Sequence, residues 1–135
     1  MTSSLYYSHM NSVILRILKS RGEVFELLGR YDRAETDFRS MLTIAQHHES
    51  HSGKVNALTL LAGIQRKRGD IRESVATCYT AYRHARAHGY QKGQAVCLDS
   101  IAHAQQLSGD LYKSLRTQKK SLTIHKRIKD RMGQA

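Results

Sequence analysis

Proline and tryptophan are absent from this 135-residue chain, and it has half as many acidic residues as basic ones. Without proline, no residue breaks a helix by removing a backbone donor. No apolar run approaches the roughly 20 residues that a membrane-spanning helix needs, because the best candidate, Val13 to Leu18, is interrupted by Arg16. That run is followed by no small-residue cleavage site, so a signal peptide is not predicted. Sustained apolar/polar alternation is also missing, which leaves an all-α chain as the prediction.

Cysteine is scarce too, with only Cys78 and Cys97 in the chain. Both fall on predicted packing stripes, where we interpret them as small core residues. A helical chain of this size needs no disulfide, and a reduced cytoplasmic setting is the prediction. No glycine-rich phosphate loop occurs, and no nucleophile, base and orienting acid can be grouped. We therefore predict no enzyme activity and no cofactor.

Glycine, in contrast, recurs with a fixed period. Gly29, Gly69 and Gly109 each follow the previous one by 40 residues, and a second series with the same step consists of Gly53, Gly93 and Gly133. Two glycine series at one period indicate a repeat protein. The predicted units are residues 11–51, 52–91 and 92–131. Residues 1–10 are predicted to be a tail or a partial helix, and residues 132–135 the start of a truncated fourth unit.

Each unit has the pattern of a helical hairpin. In unit one, a first helix from about Asn11 to Leu28 carries an apolar stripe formed by Ile14, Leu18, Gly22 and Phe25. Gly29 is predicted to end it, and a second helix follows from about Tyr31 to His48, with Ala34, Phe38, Met41 and Ile44 inward. Ser50 to Gly53 is the predicted loop between units. Such a hairpin cannot bury its apolar face alone, so the units must stack.

The later units depart from unit one at two positions. Gln65 and Gln105 replace the aromatic Phe25, and serines 74 and 114 replace Ala34. These changes predict looser packing in units two and three.

The spacing in unit one resembles a known family. Leu18, Gly22, Phe25, Gly29, Ala34 and Phe38 stand at the positions of the tetratricopeptide repeat (TPR). The resemblance covers about residues 11–135. It implies an all-α, TPR-like α-solenoid of three stacked antiparallel helix hairpins, in a right-handed superhelix with a concave binding groove. The 40-residue period resembles the long-repeat LGN/Pins subgroup.

The resemblance implies a protein-interaction role, and repeat register indicates which residues would face the groove. Positions 13, 10, 6 and 3 before each turn glycine lie on one helical face, away from the packing stripe. The predicted groove residues on this face are Arg16, Lys19, Glu23, Asn56, Thr59, Arg66, Asp99 and His103. A polar face of this kind suits an extended peptide with acidic side chains. The alternative is that these residues are simply solvated.

Two ligand subtypes of the family do not match this face. A clamp for a chaperone's C-terminal carboxylate needs recurring Lys and Asn, but Lys19, Thr59 and Asp99 break one such row. The spindle-adaptor subgroup favours Asn nine residues before the turn glycine, where this chain has Ser20, Leu60 and Ser100. Its particular peptide is therefore not implied.

Positive charge is concentrated at the end of the chain. The formal net charge is +11, and residues 111–135 contribute +7 of it, with eight basic residues against one acidic residue. The basic surface predicted here includes Lys119, Lys120, Lys126 and Arg127. Most such runs are solvated faces, but binding to nucleic acid or another anionic surface is a second hypothesis. A third is self-association through an uncovered terminal helix. Because Gly133-Gln134-Ala135 repeats Gly93-Gln94-Ala95, the chain is expected to be either a fragment of a larger scaffold or regulatory protein, or a natural short chain.

Histidine is the remaining residue type with chemical potential. His47, His48 and His51 cluster with Glu49 at a predicted loop, while His84 and His88 are spaced four apart. The i, i+4 pair places two imidazoles on one helical face, but no further ligand lies in that helix. We interpret these histidines as solvated and predict no metal site.

Overall fold

The computed structural model describes residues 2–133, and the side chains of residues 9–133. It contains six α-helices: α1 (Thr2–Leu27), α2 (Tyr31–His47), α3 (His51–Lys67), α4 (Ile71–Ala87), α5 (Gln91–Leu107) and α6 (Leu111–Gly133). No strand occurs within residues 2–133. None of the six helices is both long and apolar enough to cross a bilayer. The all-α prediction is confirmed.

The helices pack as three antiparallel hairpins, α1 with α2, α3 with α4 and α5 with α6. Neighbouring hairpins meet where α2 packs on α3 and where α4 packs on α5, and α3 also contacts α5. Each hairpin thus buries its apolar faces against the next one, which is the arrangement of an α-solenoid. The predicted stack of three hairpins is confirmed.

The turn inside each hairpin is made by the first glycine series. Gly29, Gly69 and Gly109 have φ values of 74°, 91° and 81°, in the left-handed region. In each turn the next residue donates its backbone N–H to the carbonyl five residues earlier, as Arg30 does to Phe25 at 2.8 Å. This bond satisfies a carbonyl at the end of the helix, and it needs a residue that tolerates positive φ.

Two glycines of the second series, Gly53 and Gly93, lie within helices and make close contacts. The predicted loop from Ser50 to Gly53 is wrong, because α3 begins at His51 and Gly53 lies in its first turn. A Cβ on Gly53 would lie 2.8 Å from the Ser50 side-chain oxygen, which accepts a hydrogen bond from the Gly53 N–H. A Cβ on Gly93 would lie 2.4 Å from the Tyr90 ring. These glycines make room for the residue that precedes each helix.

The two terminal helices are longer than the four between them. Helix α1 begins at Thr2, well before the expected start near Asn11, so residues 2–10 continue the first helix. In units one and two, Glu49 and Gly89 have a left-handed φ at the turn that follows the second helix. Lys129 is the equivalent residue of unit three, and α6 continues through it as a helix. Helix α6 continues to Gly133, and residues 134–135 lie outside the described part. The start of a fourth unit at 132–135 stays a prediction.

The core is built on very close contact between the two helices of each hairpin. In unit one, Phe38 is fully buried against Gly22. In unit two, the buried Ser74 hydroxyl donates to the Ala62 carbonyl at 2.7 Å, and in unit three Ser114 donates to Ala102 at 3.0 Å. The prediction that these serines loosen the packing is wrong, because each replaces a methyl contact by a buried hydrogen bond.

The glutamines that replace Phe25 behave differently from each other. The Gln105 side-chain oxygen accepts a hydrogen bond from Thr117 at 2.8 Å. The equivalent oxygen of Gln65 is buried and has no partner among the described side chains. A buried polar atom without a partner is destabilising, so unit two carries the least satisfied core position.

Two helical glycines give a matched test of this packing. Gly22→Ala should lower the free energy of unfolding by about 1–3 kcal/mol, because the new Cβ would lie 2.4 Å from the Phe38 ring. Gly63→Ala should raise it by about 0.5–1 kcal/mol, because a Cβ there meets nothing within 4 Å and alanine favours the helix. Urea denaturation followed by circular dichroism measures both. Equal effects of the two substitutions would contradict the close contact at Gly22.

Candidate functional site

The first helices of all three units line one cavity of about 290 Å³. Side chains from α1, α3 and α5 contribute to it, together with Tyr90 from the turn before α5. The lining residues are Lys19, Asn56, Thr59, Leu60, Tyr90, Lys92, Val96 and Ser100. We call this cavity the groove. Since it depends on three successive units, it exists only in the stacked chain.

The structure brings together part of the predicted groove set. Lys19, Asn56 and Thr59 line the groove. Arg16 lines a neighbouring cavity of about 720 Å³, which also includes Asn56 and lies where α1, the end of α2 and the start of α3 meet. These four residues form one continuous surface because Asn56 belongs to both cavities.

The other predicted groove residues lie elsewhere. Glu23 and His103 are exposed and Arg66 is half-buried, and none of the three lines either cavity. Asp99 points to the second helix of its own hairpin, where it accepts hydrogen bonds from the Ser121 hydroxyl and from His125, the latter at 3.0 Å. Asp99 lines neither of the two cavities, and its assignment to the groove stays a prediction.

The predicted set lacks five groove residues. Val96 stands at one of the register positions, 13 before Gly109, whereas the other four lie outside those positions: Leu60, Tyr90, Lys92 and Ser100. Tyr90 precedes α5 at the turn between units, and its hydroxyl donates to the Asn56 side-chain oxygen at 3.2 Å. Lys92 lies in the first turn of α5, beyond the four helical positions that the repeat register singled out. Leu60 and Ser100 occupy one repeat position, so the register of the glycines could have indicated them.

The chemistry of the groove follows from its lining. Lys19 and Lys92 supply two positive charges, and no acidic side chain is among the lining residues. Asn56 accepts from Tyr90, which leaves its amide N–H groups as donors for a ligand. Leu60 and Val96 add apolar surface. The groove is therefore suited to a ligand with negative charge, backbone acceptors and an apolar side chain.

The basic surface lies on α6, on another part of the molecule. Lys119, Lys120, Lys126 and Arg127 are all exposed, as predicted. Among the described residues, the ion pairs of α6 are Lys113 with Asp110 and His125 with Asp99. The exposed apolar residues Leu115 and Leu122 lie on the same helix, so this surface is not uniformly charged.

The histidines are regrouped by the fold. His51 does not join His47 and His48 but lies against His84 and His88, at the open end of the second hairpin. The His51 Nδ1 and His84 Nε2 atoms are 3.1 Å apart, and the His51 and His88 rings stack with centroids 3.5 Å apart. Partial burial, with help from Lys54 and the other two imidazoles, lowers the pKa of His84. The sequence could not show this grouping because His51 is 33 residues before His84.

No protein-family model and no curated protein matches this chain. Among solved structures, it is similar to the crystal structure of the TPR domain of Arabidopsis FLU. The TM-score is 0.75 and the identity 18%, over 87% of this chain and 98% of that domain. The chain has a TPR-like fold. This likeness confirms the resemblance at the level of the fold, and membership of the LGN/Pins subgroup stays a prediction.

The two cysteines provide a direct check on the packing behind the groove. Burial raises the pKa of Cys78 to about 11 and that of Cys97 to about 12. Because the thiolate is the reactive form, about one Cys78 thiol in a thousand would be ionised at pH 8. Both thiols should therefore react with a disulfide reagent far more slowly in the folded protein than in urea. Labelling of the folded protein at the rate of a free thiol would contradict this.

Proposed function

We propose that this chain is a non-catalytic protein-interaction module that binds an extended, acidic peptide segment in the groove. The observation that carries the proposal is the pairing of Lys19 and Lys92 in one cavity with Asn56 and with apolar surface. Lysines from two different units can meet carboxylates along one extended chain. The TPR-like fold supports this reading, since it presents its first helices along a shared face.

Each part of the groove has a separate task in this proposal. The two lysines attract the ligand and set its orientation through charge. The Asn56 amide, held by the Tyr90 hydroxyl, donates to a backbone carbonyl of the ligand. Leu60 and Val96 receive an apolar side chain. Charge contributes mainly to the association rate and to specificity, so the apolar contact must supply much of the affinity.

The spindle-adaptor peptide is not part of the proposal. That subgroup's asparagine position is occupied by Ser20, Leu60 and Ser100, and Leu60 and Ser100 line the groove directly. A leucine side chain cannot form a hydrogen bond with a peptide backbone. The ligand is therefore defined by its acidic and apolar character, not by that subgroup.

Charge reversal within the groove tests the proposal. Peptides selected by phage display on the wild-type protein should be enriched in Asp or Glu next to an apolar residue. Their affinity, measured by fluorescence anisotropy, should fall by about tenfold or more in the Lys19→Glu/Lys92→Glu variant, because the ligand's carboxylates then face like charge.

The matched control is Lys119→Glu/Lys120→Glu, which makes the same charge change on the exposed face of α6. This control should bind the peptides as the wild type does. Equal loss in both variants would indicate non-specific charge attraction and refute the groove. If only the α6 variant lost binding, and its target were a nucleic acid released by salt, the basic-surface hypothesis would replace the proposal.

We propose self-association as a second function, because the two ends of the stack carry matching uncovered faces. On α1, Ile17 is 57% exposed and Val24 is 53% exposed. The residues 40 positions later, Ala57 and Ile64, are buried against the preceding hairpin. On α6, Leu115 and Leu122 are exposed as well. A second copy of this chain could cover α6 with its α1.

The interface between units one and two shows which residues would meet if α1 of one copy packed on α6 of another. There, Arg68 at the end of α3 pairs with Asp32 and with Glu35, the latter at 2.7 Å. In an end-to-end stack the equivalent residues would be Leu28 from one copy and Tyr112 and Leu115 from the other. All three are exposed large apolar residues. At the positions where Arg68, Asp32 and Glu35 form ion pairs inside the stack, the turn after α1 and the start of α6 therefore carry apolar residues.

The helix lengths agree with this arrangement. Neighbouring units join the end of a second helix to the start of a first helix, as α4 joins α5 through a three-residue turn. Helix α1 is extended at its start and α6 at its end. In an end-to-end stack, the extended end of α6 in one copy would lie beside the extended start of α1 in the next copy. No turn connects these two helices because they belong to different chains.

Complementary blocking variants test the stack by light scattering after size exclusion. The wild type should gain mass with concentration, because a head-to-tail contact does not close. Ile17→Glu and Leu122→Glu should each be monomeric, since each blocks one end. Their mixture should form a 1:1 dimer, because one intact face remains on each partner. A monomeric wild type, or loss of association in a Leu107→Glu control outside both faces, would refute the stack.

A further inference from the structure

Three imidazoles converge at the open end of the second hairpin. His51 lies in the first turn of α3, His84 lies in the last turn of α4, and His88 caps α4. One ring nitrogen of each lies within 4.8 Å of those of the other two. Two neighbouring helices are needed to assemble the set, so it depends on the hairpin being formed.

The spacing of the nitrogens fits a metal ion. Two nitrogens bound at about 2.0–2.1 Å to one tetrahedral zinc lie about 3.3–3.4 Å apart. The His51 Nδ1 and His84 Nε2 atoms are 3.1 Å apart, close to that separation. His84 and His88 are four residues apart, which places both on one face of α4. Three imidazoles with an open fourth position form a known type of zinc site.

One ring must turn for all three nitrogens to bind together. The His51 and His88 rings are nearly parallel, with planes inclined by 12°, and a metal cannot lie in the planes of two stacked rings. Both side chains are exposed, so either can rotate about χ2 without disturbing the core.

The charges around the cluster have opposite effects on a cation. Glu49 lines the same cavity of about 260 Å³ as His51 and His84, and its carboxylate offers a fourth ligand or a partner for bound water. Lys54 lines that cavity as well. The positive charge of Lys54 repels a cation, so it opposes the attraction that the Glu49 carboxylate exerts.

We propose that His51, His84 and His88 bind one divalent transition-metal ion of the kind that prefers imidazole, with Zn²⁺ as the reference ion. The ion would join the start of α3 to the end of α4 and thereby hold the second hairpin closed. This site is separate from the groove, and it does not depend on the proposed peptide binding.

Calorimetric titration of the tag-free protein with ZnCl₂ tests the site. One ion per chain should bind at pH 7.5. When Co²⁺ replaces Zn²⁺, the visible absorption spectrum should be that of tetrahedral coordination. His51→Gln, His84→Gln and His88→Gln should each weaken binding by about tenfold or more, since loss of even an outer-shell partner costs about 10–100-fold. The matched control is His47→Gln/His103→Gln, which removes two exposed histidines outside the cluster.

Two further readouts distinguish a built site from scattered surface histidines. Zinc should raise the melting temperature of the wild type and of the control, but not of the cluster variants, because only a folded hairpin presents all three ligands. Binding should weaken as the solution is made acidic, because protons compete with the metal ion for the imidazole nitrogens. Equal affinity in the cluster variants and the wild type, or equal loss in the control, would overturn the proposal.

Discussion

The whole stack depends on the close approach of the two helices in each hairpin. Unit one achieves it with a glycine under the fully buried Phe38 ring. Units two and three achieve it with a small residue whose carbonyl accepts a hydrogen bond from a buried serine. The chemistry differs between the units, but in all three the two helices pack as a hairpin, and each hairpin packs on the next one. The groove exists because this stack brings the first helices of all three units together.

The period and the hairpins could be predicted from the sequence because both depend on local chemistry. A glycine with positive φ at the end of a helix leaves a clear signal at Gly29 and its equivalents. Gly53 was misassigned because glycine makes room for a packed neighbour as readily as it forms a turn. A sequence does not distinguish the two roles, since both require only the missing Cβ.

The candidate sites could be predicted only in part, for a related reason. Repeat register indicated Lys19 and Asn56 because each lies on a regular face of its own helix. It did not indicate that the Asp99 carboxylate pairs with Ser121 and His125 on another helix. It also failed for His51, whose partners are 33 and 37 residues away. The residues that share one face of a helix can be predicted from their spacing in the sequence. Groups formed by residues of two helices can be identified only when the packing of those helices is known.

The described hydrogen bonds between side chains span at most 37 residues of sequence, the separation of Asn11 and His48. A chain held by contacts of this range has little loop entropy to overcome before its first favourable contacts form. Folding can begin in any hairpin and spread to its neighbours, so stability is a sum of units and of the surfaces between them. The middle hairpin has a neighbour on each side and should be the last to open, which places the cluster of His51, His84 and His88 on the most persistent part of the stack.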